Sequence, residues 1–164
     1  MQTQPHVNTL YDADFYAWTQ QQAEYLRSGK LDQLDIFNLV EEIETLGRQE
    51  RRELENRLGV LLGHLLKWYY QPQQRSSSWF YTIRNQRRQV LKHLKENPSL
   101  EAHLSNAIAE GYQDALNLFG SETGLNPQEL PQPCPFSTEQ ILQEAIEFPE
   151  PPSQRTTRNH QPKL

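Results

Sequence analysis

No stretch of this chain alternates apolar and polar residues at period two, whereas five stretches repeat apolar residues every three or four positions. Alternation is what a half-buried strand needs, and the wider spacing is what a helix needs. The chain is therefore confined to all-α architectures. Helices that each carry one apolar stripe must hide it against one another. With 164 residues the chain falls within the size of one domain and can bury a core without disulfides or a structural metal. No fixed-period repeat appears, which sets aside solenoids.

Asp12 and Asp14 stand where a helix N-cap belongs, Tyr11, Phe15, Trp18, Gln22, Tyr25 and Leu26 follow at helical spacing, and Gly29 supplies a C-terminal stop. A second stripe starts near Asp35 and runs Ile36, Leu39, Val40, Ile43, Leu46, with Glu41, Glu42 and Glu44 mostly off it. A third comprises Leu54, Leu58, Leu61, Leu62, Leu65, Trp68 and Tyr69 and ends before Pro72. Joined without interruption, these two would make a helix about 53 Å long at 1.5 Å per residue. Gly47, Glu50 and Arg51 occupy the positions that would continue the stripe, so a break or kink is expected at Gly47.

Ser76, Ser77 and Ser78 offer caps for a fourth helix carrying Trp79, Phe80, Ile83, Val90, Leu91 and Leu94, which stops at Asn97-Pro98. Ser99 is then expected to cap a fifth bearing Leu100, Leu104, Ala107, Ile108, Gly111, Ala115, Leu118 and Phe119. So short a connection predicts an antiparallel pair. Pro127, Pro131, Pro133 and Pro135 make an extended strap, and Ser137-Thr138-Glu139-Gln140 has the form of a capping box opening a short last helix. The fold expected is an up-and-down bundle of four to five main helices with a short C-terminal helix and a proline-rich strap. Residues 10–147 form its single domain, residues 1–9 a flexible N-terminus, and residues 148–164 a disordered proline-rich tail.

The net charge of −5 conceals a segregation along the chain. From Met1 to Asn56 there are eleven acidic and five basic residues, and from Arg57 to Lys95 eight basic and none acidic. From Glu96 to Gln154 there are ten acidic residues and neither Lys nor Arg. The single cysteine, Cys134, has no partner for a disulfide and no CxxC setting, which fits a reducing compartment. The amino terminus shows no positive cluster followed by an apolar run, and the most apolar stretch, Leu58 to Leu66, is broken by Gly59, Gly63 and His64. It falls far short of the roughly 20 residues a membrane span needs, so a cytoplasmic protein without a membrane segment is expected.

Taken in order, several phrases form a pattern: Tyr11-Asp12-Ala13-Asp14-Phe15 with Trp18, Asn38 through Gly47, and His64-Leu65-Leu66-Lys67-Trp68. Ser78-Trp79, Thr82-Ile83, Gln86-Arg87, Asn97-Pro98-Ser99-Leu100, Thr123-Gly124 and Cys134-Pro135-Phe136 continue it. The pattern resembles the bacterial family called domain of unknown function 29, from about Leu10 to Ile146. The resemblance implies a helical up-and-down bundle and carries no reaction, ligand or catalytic residue with it.

His64 lies in an apolar stretch one turn before Lys67 and Trp68, where a histidine serves either as a general base or ligand or as a hydrogen-bonded residue at the edge of a core. Glu41 and Glu44 raise the question of a carboxylate metal site in a bundle, but no Glu-x-x-His accompanies them, and His93 and His103 lack ligand spacing. No metal and no cofactor is expected. Arg51, Gln86 and Arg87 fall on or near apolar stripes, where a charge must be paired. Glu41, Glu44 or Glu50 would supply a polar belt with Arg51, Arg87 and His64, read either as structural cement or as an active site. Arg84, Arg87, Arg88, Lys92 and Lys95 crowd one helix beside Trp79, Phe80 and Tyr81, a composition suited to nucleic acid. A hairpin about Asn97-Pro98 would set Glu101 near Lys95 and Glu110 near Arg84 and cancel much of that charge.

Walker-type loops, GxSxG elbows and Cys-His nucleophile pairs are absent. The sequence thus points first to a non-enzymatic helical module that recognises a protein partner, then to nucleic-acid binding through Arg84 to Lys95, then to an enzyme built on the belt around His64. The residues singled out for binding are Glu41, Glu44, Arg51, His64, Lys67, Trp68, Arg84 and Arg87.

Overall fold

Leu10–Ala13 forms a single turn, α1, that ends at Asp14. The Asp14 carboxylate accepts the Ala17 N–H at 2.9 Å and so caps the next helix, α2, Phe15–Arg27. α2 closes as the stop signal predicts. Gly29 adopts φ 73°, the Lys30 N–H reaches the Tyr25 carbonyl at 2.9 Å, and the Gly29 N–H reaches that of Leu26. This is a Schellman ending, which needs a left-handed residue at that position.

The computed structural model describes residues 9–149, so most of the tail expected over 148–164, and the N-terminus before Thr9, lie outside the described residues. Beyond α2 come α3 (Ile36–Tyr70), α4 (Ser77–Glu96), α5 (Leu104–Thr123) and α6 (Thr138–Leu142), joined by short 3-10 turns. No strand occurs among the described residues, and the architecture is all-α, an assembly of helices as expected. The chain forms two compact units, Met1–Gln49 and Glu50–Leu164.

Two boundaries differ from expectation. α3 runs unbroken through Gly47 for 35 residues, about 52 Å at 1.5 Å per residue. A glycine inside a helix costs about 1 kcal/mol relative to alanine, too little to end one among strong helix formers. The Glu44–Arg48 ion pair also spans the site at 3.6 Å. At the other boundary, Ser99 does not open α5. Pro98–His103 is a six-residue 3-10 turn and α5 starts at Leu104.

Within the first unit, Trp18 and Gln22 are buried on α2, and Tyr11 and Phe15 pack against Trp18 at ring separations of 4.9 and 5.6 Å. Trp18 Nε1 donates to Asp35 at 3.1 Å, and the Asp35 N–H donates to the Gln22 carbonyl oxygen at 2.8 Å. Asn38 donates twice to Asp35, from its backbone N–H and its side-chain amide. Burial works to raise the Asp35 carboxyl, but the hydrogen bonds from Asn38 and Trp18 overcome it and hold the group below its ordinary value. Asp35 thus caps α3 and ties α2 to it.

In the second unit Leu54, Leu58, Leu61, Leu62, Leu65 and Trp68 of the expected α3 stripe are buried, with Leu66 beside them, while Tyr69 at its end is exposed. Ile83 and Val90 of α4, Ala115 and Phe119 of α5 and Ile141 of α6 complete the core. Gly111 sets the closeness of α5 to α3. A Cβ there would lie 3.0 Å from both the Glu55 carbonyl oxygen and the Gly59 nitrogen. Ser76 caps α4 by accepting the Trp79 N–H at 3.3 Å, and Ser137 with Gln140 forms the expected capping box on α6.

Candidate functional site

The residues singled out from the sequence do not converge. Glu41 and Glu44 lie exposed in the first unit, and Arg51 is exposed at the start of the second, without a hydrogen bond or ion pair among the described residues. Arg87 is buried as anticipated, but its partners are not glutamates. Its Nε donates to the Ile141 carbonyl at 2.8 Å, one terminal nitrogen to that of Gln140 at 2.7 Å, and the other to that of Glu144. The guanidinium fork therefore closes the last turn of α6, where carbonyls have no partner in their own helix. Burial pushes the Arg87 pKa down, with Tyr69 and Glu144 working against that shift.

His64, Lys67 and Trp68 do share a neighbourhood. The Lys67 side chain is 2% exposed, and its ammonium pairs with Glu122 of α5 and sits 4.9 Å from the centre of the Trp79 ring. His64 Nδ1 bonds the Val60 carbonyl at 2.9 Å, one turn back on α3. Burial lowers the His64 pKa, and the Lys67 charge adds to that, while the Val60 carbonyl and Glu122 oppose it. The imidazole is held neutral beside an internally matched ion pair. Trp68 is buried, with its carbonyl accepting the Arg75 Nε at 2.8 Å and the Arg75 guanidinium over its ring. Each charge is matched inside the fold, the arrangement of a structural knot.

Glu122 was invisible to pattern reading because it lies 55 residues from Lys67 on another helix. Glu50 goes to neither Arg51 nor Arg87. Its carbonyl bonds His93 Nε2 at 2.9 Å and its carboxylate stands 3.5 Å from the same nitrogen. No group of three or more His, Cys, Asp or Glu placed to hold a metal occurs among the described residues. No helix of the described residues is long and apolar enough to cross a membrane.

Two exposed faces stand out among the described residues. On the first half of α3, Ile36, Val40, Ile43 and Leu46 are 58%, 48%, 66% and 61% exposed, with Phe37 at 76%. The stripe expected in the core is therefore mostly solvent-facing, with only Leu39 of its five members half-buried. Its partner faces, Asn38 and Glu42, turn inward instead, and Glu42 accepts the Tyr11 hydroxyl. At 100° per residue Ile36, Val40, Ile43 and Leu46 span about 120° and Phe37 widens the arc to about 180°, with Glu44 between Val40 and Phe37 and Glu41 about 40° beyond Phe37. The second surface is the outer side of α4, where Arg84, Arg88, Lys92 and Lys95 are exposed. The neutralisation expected from Glu101 and Glu110 does not form. Among the described residues only Lys92 has a carboxylate near it, Glu96 on the same helix at 3.7 Å.

Compared with known proteins, residues 10–146 match the family described as Domain of unknown function DUF29. No curated protein and no solved structure matches the chain.

Proposed function

We propose, for a chain that belongs to the family Domain of unknown function DUF29, that it is a non-enzymatic cytoplasmic interaction module whose first unit binds a cationic amphipathic segment of another protein. The observation that carries the reading is the exposed Ile36, Phe37, Val40, Ile43 and Leu46 on α3, bordered by Glu41 and Glu44. Contiguous apolar surface rimmed by charge is what a docking face requires. Covering the exposed part of each of these side chains is worth about 1 kcal/mol or somewhat more. The five together supply roughly 5–7 kcal/mol before the cost of association is subtracted, which makes the contact weak and transient unless ion pairs at the edge add to it.

The acidic edge selects the occupant. A second copy carries Glu41, Glu42 and Glu44 and no Lys or Arg between Ile36 and Leu46, so its stripe brings that edge no cation. A segment with lysines or arginines beside its apolar face pairs with that edge instead. The same acidity disfavours an anionic lipid surface.

The full chain, titrated with labelled helical peptides of identical leucine faces and either lysine or glutamate flanks, should bind the lysine peptide saturably and the glutamate peptide far more weakly. Val40→Asp with Ile43→Asp should reduce the first by tenfold or more, while Leu125→Asp, also exposed, leaves it unchanged. Equal binding of both peptides, or indifference to the stripe substitutions, would end the proposal. A dimer mass in sedimentation that the same substitutions abolish would replace it with self-association.

A further inference from the structure

We infer that the outer face of α4 binds the backbone of a single-stranded nucleic acid, with Tyr81 as the platform on which one base stacks. This function is separate from the docking face on α3. Arg84, Arg88 and Lys92 follow one another at intervals of four residues, about 6 Å of helix axis each, and Lys95 extends the row by a further turn. The basic block is otherwise absorbed by the fold. Arg57 pairs with Glu53, Lys67 with Glu122, Arg75 with the Trp68 carbonyl and Arg87 with the α6 carbonyls. The cations left over share a single solvent-facing side.

At the N-terminal end of that row lies a hollow of 360 Å³ lined by Tyr81, Arg84, Asn85 and Arg88. Tyr81 is 58% exposed yet held in place, its ring edge-on to Phe80 at 5.4 Å and against Phe148 at 6.1 Å. The Arg84 guanidinium stands over Phe80 at 5.5 Å, and Arg88 donates to the Asn85 oxygen at 2.9 Å. A fixed aromatic face next to a row of cations is the combination that single-strand binders use, cations following phosphates and aromatics taking bases. An acidic peptide would satisfy the cations but leave the Tyr81 face and the Asn85 amide unused.

The sequence beyond Phe148 reinforces the charge. Residues 150–164 carry Arg155, Arg158 and Lys163 against one acid, Glu150.

The full chain should bind labelled twelve-nucleotide oligo-dT and oligo-rU by fluorescence anisotropy, with affinity falling from 50 to 200 mM KCl. Three to four neutralised phosphates give a slope of log K against log salt of about −2 to −3 for a single strand. Arg84→Gln with Arg88→Gln should weaken binding at least tenfold and make the slope shallower by about 1.4. Tyr81→Ala should weaken binding about tenfold with the slope unchanged, and Tyr81→Trp should retain it. Melting temperatures equal to the parent's establish that these variants stay folded. Absence of binding at 50 mM KCl, a flat salt response, or indifference to the arginine substitutions would overturn the inference. Equal affinity for a polyglutamate peptide would overturn it in favour of an acidic protein partner.

Discussion

Replacing Arg87 by alanine should detach the C-terminal segment while leaving the α3–α5 core folded. The guanidinium satisfies the carbonyls of Gln140, Ile141 and Glu144, 53 to 57 residues away in the chain. If α6 stayed docked without it, three acceptors would lose their partner beneath the segment, at about 1–3 kcal/mol each. Against that stands what α6 gains by docking, chiefly burial of Ile141 and Leu142, about 1.5–3 kcal/mol apiece. The two totals are comparable, roughly 3–9 against 3–6 kcal/mol, so the segment gains little by staying in place. The loss of stability is bounded by the smaller total, because release returns the carbonyls to water. Hydrogen exchange read by mass spectrometry should show residues 138–148 losing most of their protection in Arg87→Ala, with the Leu54–Leu66 amides still protected. Arg87→Lys keeps the charge but not the fork and should fall between. Unchanged protection of α6 in Arg87→Ala, with a melting temperature within a degree or two of the parent's, would refute the reasoning.

Glu122→Ala should destabilise the protein more than Lys67→Met by chemical denaturation, because the first strands a buried ammonium and the second removes it. Glu122 is itself nearly half exposed, so the loss should be smaller than the roughly 3–5 kcal/mol of a fully buried pair. Gly111→Ala should lower stability by about 1–3 kcal/mol, since its Cβ would meet backbone atoms of α3 at 3.0 Å; an unchanged denaturation midpoint would show that the helices can separate there freely. His64 should titrate below 6.5 by NMR. Because the unfolded chain takes up that proton first, the His64 contribution to stability is fully present above pH 6.5 and is lost as pH falls towards the folded value, a trend that His64→Gln should flatten. Tyr112, whose hydroxyl donates to the Pro131 carbonyl at 2.6 Å, is pushed by burial up to about 12, and alkaline difference spectra should show a late-ionising component that Tyr112→Phe removes, beside the raised Tyr11 and Tyr69.

The local grammar of this chain was legible wherever a short-range interaction decides the outcome. Asp14, Ser76 and the Ser137 capping box each act on a backbone N–H three residues away, and Gly29 needs only its own φ. Gly47 was misread because its effect on a helix, about 1 kcal/mol, is decided by what flanks it. The stripe Ile36 to Leu46 exposes a different limit, since periodicity says that a face is apolar but not what covers it. The polar partners were hidden for two reasons. Lys67 and Glu122 meet only through the packing of α3 on α5, and Arg87 binds carbonyls, which every residue carries and no sequence pattern marks. Trp18, Gln22, Asp35 and Asn38 form a knot that no spacing in the sequence marks, because its members come from two helices and the turn between them.

The long separation between Arg87 and the carbonyls it closes has a kinetic side during synthesis. At about 5–20 residues per second a ribosome needs roughly 3–11 s to advance from Arg87 to Glu144. Throughout that interval the seat that Ile141 and Leu142 later fill stands open on the nascent chain, an adhesive seam awaiting its cover. A chaperone that shields apolar surface would find its binding window there, and chains stalled ahead of Ser137 should aggregate more readily than those stalled after Phe148.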